Sequence, residues 1–161
     1  MTPDQIAALP YRPCVGVVLS NADGLVFAGQ RADMATPALQ MPQGGIDSDE
    51  APETAAYREL LEETGVRADH VRLIARTHDW VRYDLPPAAI ATRWNGRYRG
   101  QEQMWFHMAL TAPDDVIDLT FKDVEFSSWQ WMAGADLLAA IVPFKREIYG
   151  RVLGEFGLLE P

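Results

Sequence analysis

Gly44, five residues, Glu50, seven residues, Arg58-Glu59-Leu60, one residue, Glu62-Glu63, one residue, Gly65-Val66: this spacing constrains the chain more than any other feature of its 161 residues. The stretch after Glu50 has the marks of a helix over residues 51–64. Pro52 suits a first helical turn, Ala55, Ala56, Leu60, Leu61 and the glutamates are good helix formers, and Gly65 can close the helix in a left-handed conformation. On such a helix Glu59, Glu62 and Glu63 stand at i, i+3 and i+4 and project from one face. Like charges so placed oppose the helix by roughly 0.2–0.5 kcal/mol per pair, and a hard divalent cation held by oxygen ligands removes that repulsion. A lone helical glutamate usually does no more than solvate an exposed face, and Arg58 with Glu62 can form an ordinary ion pair. From these residues alone a solvated acidic face and a metal site both stand. Upstream, Met41-Pro42-Gln43-Gly44-Gly45 reads as a strand end and a tight loop whose paired glycines admit close backbone approach, so a carbonyl near Gln43 or Gly44 can complete an oxygen set.

Composition narrows the partners. With 48% hydrophobic and 23% charged residues the chain can bury one core, and a single domain over residues 1–161 is expected. The net charge of −9 argues against broad electrostatic capture of nucleic acid. Arg76, Arg82, Arg93, Arg97 and Arg99 nevertheless make one stretch locally basic against Asp79 and Asp84, a candidate wall for a polyphosphate or else a solvated loop. The single cysteine, Cys14, lies in an apolar run and reads as a packing residue, which with the lack of a signal-length or membrane-length apolar segment makes the cytoplasm the expected compartment.

Apolar runs at residues 14–19 and 25–30, parted by Ser20-Asn21-Ala22-Asp23-Gly24, predict a hairpin. A short strand at 40–42, an extended segment at 71–83, and strands at 103–110 and 126–132 follow, the last with Trp129 and Trp131 on one face. Phe144, Ile148, Val152 and Phe156 recur at helical spacing before Gly157 and predict an amphipathic terminal helix. Residues 86–100 read as a surface loop. This order of elements suits an α/β fold, a mixed sheet covered by helices on both faces.

The spaced string matches the signature of the Nudix hydrolases. The flanking segments Tyr11-Arg12-Pro13, Trp80-Val81-Arg82-Tyr83-Asp84-Leu85-Pro86, Gly100-Gln101-Glu102-Gln103-Met104-Trp105-Phe106, Glu125-Phe126-Ser127-Ser128-Trp129 and Pro143-Phe144-Lys145-Arg146-Glu147 resemble the bacterial RNA 5′-pyrophosphohydrolases, also described as dinucleoside polyphosphate hydrolases. The resemblance implies a Nudix-type α/β/α sandwich and hydrolysis of a phosphoanhydride bond dependent on Mg2+, with Mn2+ or another divalent metal as the alternative. It implies removal of pyrophosphate from a 5′-triphosphate end of RNA, or phosphate from a 5′-diphosphate end, leaving a monophosphate that exposes the transcript to decay. Diadenosine tetraphosphate and related dinucleotides are the rival substrates. A non-catalytic binding module of the same fold is disfavoured by the presence of all three acids.

By that resemblance Glu59, Glu62 and Glu63 bind metal, with Gly44 and Glu125 as further ligands and Glu50 in support. Glu62 is the first choice for general base, and Arg58 orients a glutamate. The same resemblance assigns Arg31, Phe144 and Lys145 to an RNA base pocket lined by Val142, and Arg12 to phosphate. Arg82 and Tyr83 join the substrate-binding set. Pro143 departs from the serine expected before Phe144. No membrane partner is expected, and a protein activator is not legible.

Overall fold

The computed structural model describes residues 1–122, 124–141 and 143–159, with Phe144 described through its backbone alone. In chain order the elements are α1 (Pro3–Ala7), β1 (Tyr11–Ser20), β2 (Val26–Arg31), β3 (Leu39–Gln40), β4 (Gln43–Gly45), α2 (Pro52–Thr64), β5 (Val71–Arg76), β6 (Val81–Asp84), α3 (Pro87–Ile90), β7 (Gly100–Leu110), β8 (Phe126–Met132), α4 (Gly134–Ala140) and α5 (Pro143–Glu155). Single 3-10 turns at Ala68–His70, Trp94–Gly96 and Asp114–Val116 lie between them.

β1 organises the sheet because its apolar run is buried on both faces, which a strand tolerates only when both are covered. It runs parallel to β7 from Tyr11 opposite Gly100 to Ser20 opposite Ala109. Its other edge takes two antiparallel partners end to end: β4, with Val15 opposite Gly44, and β2, with Ser20 opposite Val26. The far edge of β7 is shared in the same way by β5 and β6, and β2 carries β3 and β8. The period of two then sorts the side chains. Val15, Val17, Leu19, Phe27 and Phe106 face Ala55, Ala56 and Leu60 of α2, whereas Val18, Ala28 and Trp105 face Leu137, Tyr149, Val152 and Leu153 of α4 and α5. Burying each such side chain contributes on the order of 1.5–3 kcal/mol, so the two clusters clamp the helices to opposite faces. The result is the expected mixed sheet between helical layers.

The sequence reading is corrected in several details: α1 was not anticipated, and Gln43–Gly45, read as a tight loop after a strand over 40–42, forms β4 against β1 while the strand before it is Leu39–Gln40. The extended segment at 71–83 is two strands: the Thr77 N–H donates to the Trp105 carbonyl at 2.9 Å and its hydroxyl accepts from the Trp105 N–H at 3.2 Å, after which the chain leaves β7 and rejoins it as β6. Residues 86–100 are not a bare loop. They contain α3, whose Ile90 is 1% exposed, and are closed at the base by Leu85 N–H to Arg99 carbonyl at 2.8 Å. α4, unanticipated, packs Leu137 into the second cluster.

Candidate active site

The motif helix forms as its residues dictate, and its ends decide where the acids sit. Pro52 opens α2 without a side-chain cap from Ala51, and Gly65 closes it at φ 73, its N–H bonding the Leu61 carbonyl at 2.9 Å. Of the three acids, Glu63 turns inward; it is 4% exposed and accepts the Gln43 N–H at 3.3 Å. Glu59 and Glu62 stand nearer the surface, with side chains 12% and 15% exposed.

Arg58 ties this helix to the loop before it. Its Nε and Nη2 donate to the two oxygens of Glu50 at 2.8 and 2.9 Å, Nη1 donates to Glu59 at 2.8 Å and lies 3.5 Å from Glu62, and Nη2 also reaches the Gly45 carbonyl at 2.9 Å. A planar fork suits this many-sided contact, which a lysine cannot reproduce. The hydrogen bonds from Arg58 hold Glu50 down to about 2, and Glu50 in turn raises Arg58 above its ordinary value. The opposite side of Glu62 receives Lys122 Nζ at 3.2 Å.

Gly44 shows why the loop demands glycine. A methyl group there would run into the Glu59 carboxylate, so only a residue without a side chain fits beside the acid. The oxygen-only donor set, three helix carboxylates with loop backbone pressed against one of them, fits a hard divalent cation. Among the described residues no three His, Cys, Asp or Glu side chains converge tightly enough to enclose an ion; Glu59 and Glu62 share Arg58 instead.

Beside the loop opens a cleft of about 520 Å³, whose lining includes Arg31, Lys145, Arg93, Tyr83, Gln43 and Glu125. Gln43 belongs to both places, since its N–H holds Glu63 while the residue lines the cleft. Lys145 Nζ donates to Gln40 at 2.8 Å, and burial, reinforced by Arg31 and Arg93 and opposed by Glu125, pushes its amine down to about 8. Arg31 forks onto Asp33 at 2.6 and 3.0 Å. Burial raises the Tyr83 hydroxyl above its usual range. Thus Arg31, Tyr83, Glu125 and Lys145 gather in one cleft. Phe144 occupies the first turn of α5 next to Lys145, but its side chain, and Val142 altogether, lie outside the described residues.

The remaining expectations separate. Arg12, at the start of β1, bonds Cys14 Sγ at 3.3 Å and abuts Gly45, where a Cβ would meet its guanidinium. Arg82 alternates away from Tyr83 along β6, lies 3.1 Å from Glu102 and 5.0 Å from the Tyr11 ring, and does not line this cleft. From the locally basic stretch the cleft takes Arg93, while Arg99 bonds Asp84 at 2.8 Å. Gln40 was not named as a site residue from sequence, and Arg93 was named only as one of the five arginines of the candidate polyphosphate wall; the Pro86-Pro87 pair that turns the chain into α3 was the further signal available. Cys14 is buried and its thiol is pushed up to about 11, as befits a packing residue.

The NUDIX domain pattern matches residues 10–152. This chain belongs to the NUDIX domain family. Proteins named RNA pyrophosphohydrolase are 53% identical to this Nudix chain over 97% of it and 98% of the relative in Dinoroseobacter shibae, and 50% identical over 94% and 96% in Sphingopyxis alaskensis. Among solved structures, an E. coli dihydroneopterin triphosphate pyrophosphohydrolase shares the fold at a TM-score of 0.71 and 22% identity, covering 90% of this chain and 99% of that one. A C. elegans Ap4A hydrolase binary complex does so at 0.66 and 18% identity, covering 90% and 96%. Nudix hydrolases generally use a divalent metal.

Proposed function

We propose that this Nudix protein removes pyrophosphate from the 5′-triphosphate end of RNA, with Mg2+ as its divalent ion and the cytoplasm as its compartment. The observation that carries the reading is the shared residue Gln43, which joins the acidic helix to a cleft bearing Arg31, Arg93 and Lys145. The 53% identity to a relative named RNA pyrophosphohydrolase, over 97% of the chain, supports the RNA end as substrate. Among the described residues no helix is long and apolar enough to cross a membrane.

A phosphoanhydride already has a good leaving group, but its anionic oxygens repel a nucleophile. Glu59, Glu62 and Glu63, with the Gly44 carbonyl and Glu125 as further oxygen donors, would hold a divalent ion, which when bound would offset the charge of those oxygens and make water easier to deprotonate. Glu62 accepts the proton of the attacking water on a carboxylate oxygen. The water oxygen bonds phosphorus, the P–O anhydride bond breaks, and pyrophosphate departs from a 5′-monophosphate. Arg58 holds Glu59 in place, while Arg31, Lys145 and Phe144 receive the first bases. A 5′-diphosphate end fits the same chemistry with loss of phosphate. Because the acids touch only the anhydride, diadenosine tetraphosphate is the second reading.

The test compares purified protein with Mg2+ on 5′-triphosphorylated RNA and on diadenosine tetraphosphate. Pyrophosphate release from RNA with the higher kcat/KM is expected; preference for the dinucleotide moves the assignment to that substrate. Glu62→Gln should fold normally and lose about two or more orders of magnitude in turnover. Near-normal turnover by the folded variant leaves Glu59 or Glu63 as the base.

A further inference from the structure

We propose that Trp94 is a positioning residue for the phosphate chain of the substrate, its indole holding the guanidinium groups of Arg12 and Arg93 as one cationic arm beside the cleft. The inference rests on the phosphoanhydride reading above and assigns a role to Trp94, in a segment that sequence alone offered as a surface loop with arginines of a candidate polyphosphate wall. Arg12 Cζ lies 5.1 Å from the Trp94 ring centroid and Arg93 Cζ 5.8 Å from it, both within the range at which an aromatic face attracts a cation. Tyr98 packs edge-on against the same ring at 5.9 Å and steadies it. Two guanidinium groups drawn to one side chain repel each other, and the indole offsets that repulsion.

The backbone supplies a second, independent observation. Trp94 has φ 46 and Asn95 φ 58. For a residue as bulky as tryptophan this region is disfavoured, and such strain persists only where the surroundings impose it, often at ligand clamps. The strained turn places Arg93 on the cleft wall with Arg31 and Lys145. Arg12 arrives from β1 and abuts Gly45, whose carbonyl receives Arg58. Trp94 therefore links the motif loop to the cleft, and two forks suited to phosphate oxygens are ordered before any anion binds, which lowers the cost of binding it.

The probe is the methylene-bridged analogue of tripolyphosphate, in which carbon replaces the bridging oxygens and cleavage is blocked, titrated calorimetrically with Mg2+. Trp94→Leu should weaken its binding about fivefold or more, and Trp94→Phe, which keeps an aromatic face, should recover most of the loss. With triphosphorylated RNA the Leu variant's loss should fall on KM rather than kcat. Wild-type affinity in a Leu variant with an intact thermal transition, or equal loss in Phe and Leu variants, overturns the proposal. Should Trp94→Leu fail to fold, Arg93→Gln at an exposed position decides: weakened binding supports the arm and normal binding overturns it. Binding of the analogue that depends on Trp94, in a protein that cleaves neither RNA nor dinucleotide, would uphold the arm and refute the proposed reaction. Cleavage of RNA with analogue binding unaltered in Trp94→Leu would do the reverse.

Discussion

A single missing carbon at Gly44 sets the distance between loop and acid. Gly44→Ala must push either the loop or the Glu59 carboxylate aside, and turnover should fall about a hundredfold, as for a catalytic group displaced by an ångström, with the fold retained by circular dichroism. Glu50 offers a pH test. Its carboxyl is held near 2, below the ordinary value of 4.5, by Arg58, so the stability it contributes is complete above about 4.5 and is lost as pH falls toward 2. Glu50→Gln should therefore be less stable than wild type at neutral pH, with the gap in denaturant midpoint narrowing across that acid window. Lys145 runs at the other end of the scale. In the folded protein it is charged below about 8 and neutral above, so KM for triphosphorylated RNA should climb as pH rises through 8, and a Lys145→Arg variant should stay flat there.

The motif helix was legible because its signals are local: Pro52, Gly65 and three acids whose spacing matches the helical period all lie within one short run. Its N-terminal end is less complete. Ala51 is exposed and gives no side-chain cap, so Ala51→Ser should stabilise the protein by about 1 kcal/mol and raise Tm by roughly 2–4 °C in a thermal melt. Most strands of the sheet were legible too, but not β4, which is a strand only through its pairing with β1, nor the break at Thr77, which is fixed by hydrogen bonds to Trp105, 28 positions away in the chain. The same limit hid the cleft. Nothing local in Arg93 distinguishes it from Arg82 or Arg99; only the turn after α3 and the pairing of β6 with β7 decide that one lines the cleft and the others pair with Glu102 and Asp84. Acids joined by one helix could be grouped from sequence, whereas cations drawn from β2, the segment before β7 and α5 could be grouped only by the resemblance, and then without Arg93.

For the molecule as a whole, a net charge of −9 leaves little broad basic surface from which to release counterions. Binding of triphosphorylated RNA should respond modestly to a rise in simple salt and collapse when the divalent ion is chelated, and filter binding across both titrations measures the contrast. The sheet shows how the two requirements are kept apart. β1 carries the motif loop through β4 on one edge and the ladder to β7 on the other, and the excursion between β6 and β7 leaves and returns through a closed base, Asp84 opposite Gly100 and Leu85 bonded to Arg99. Such an excursion is topologically a cassette. Apart from buried Ile90 and the Trp94 that holds Arg12, its exposed residues can be rewritten without shifting any register of the central ladder, so substrate preference is free to drift in descendants of this chain while the hydrolytic half is inherited unaltered.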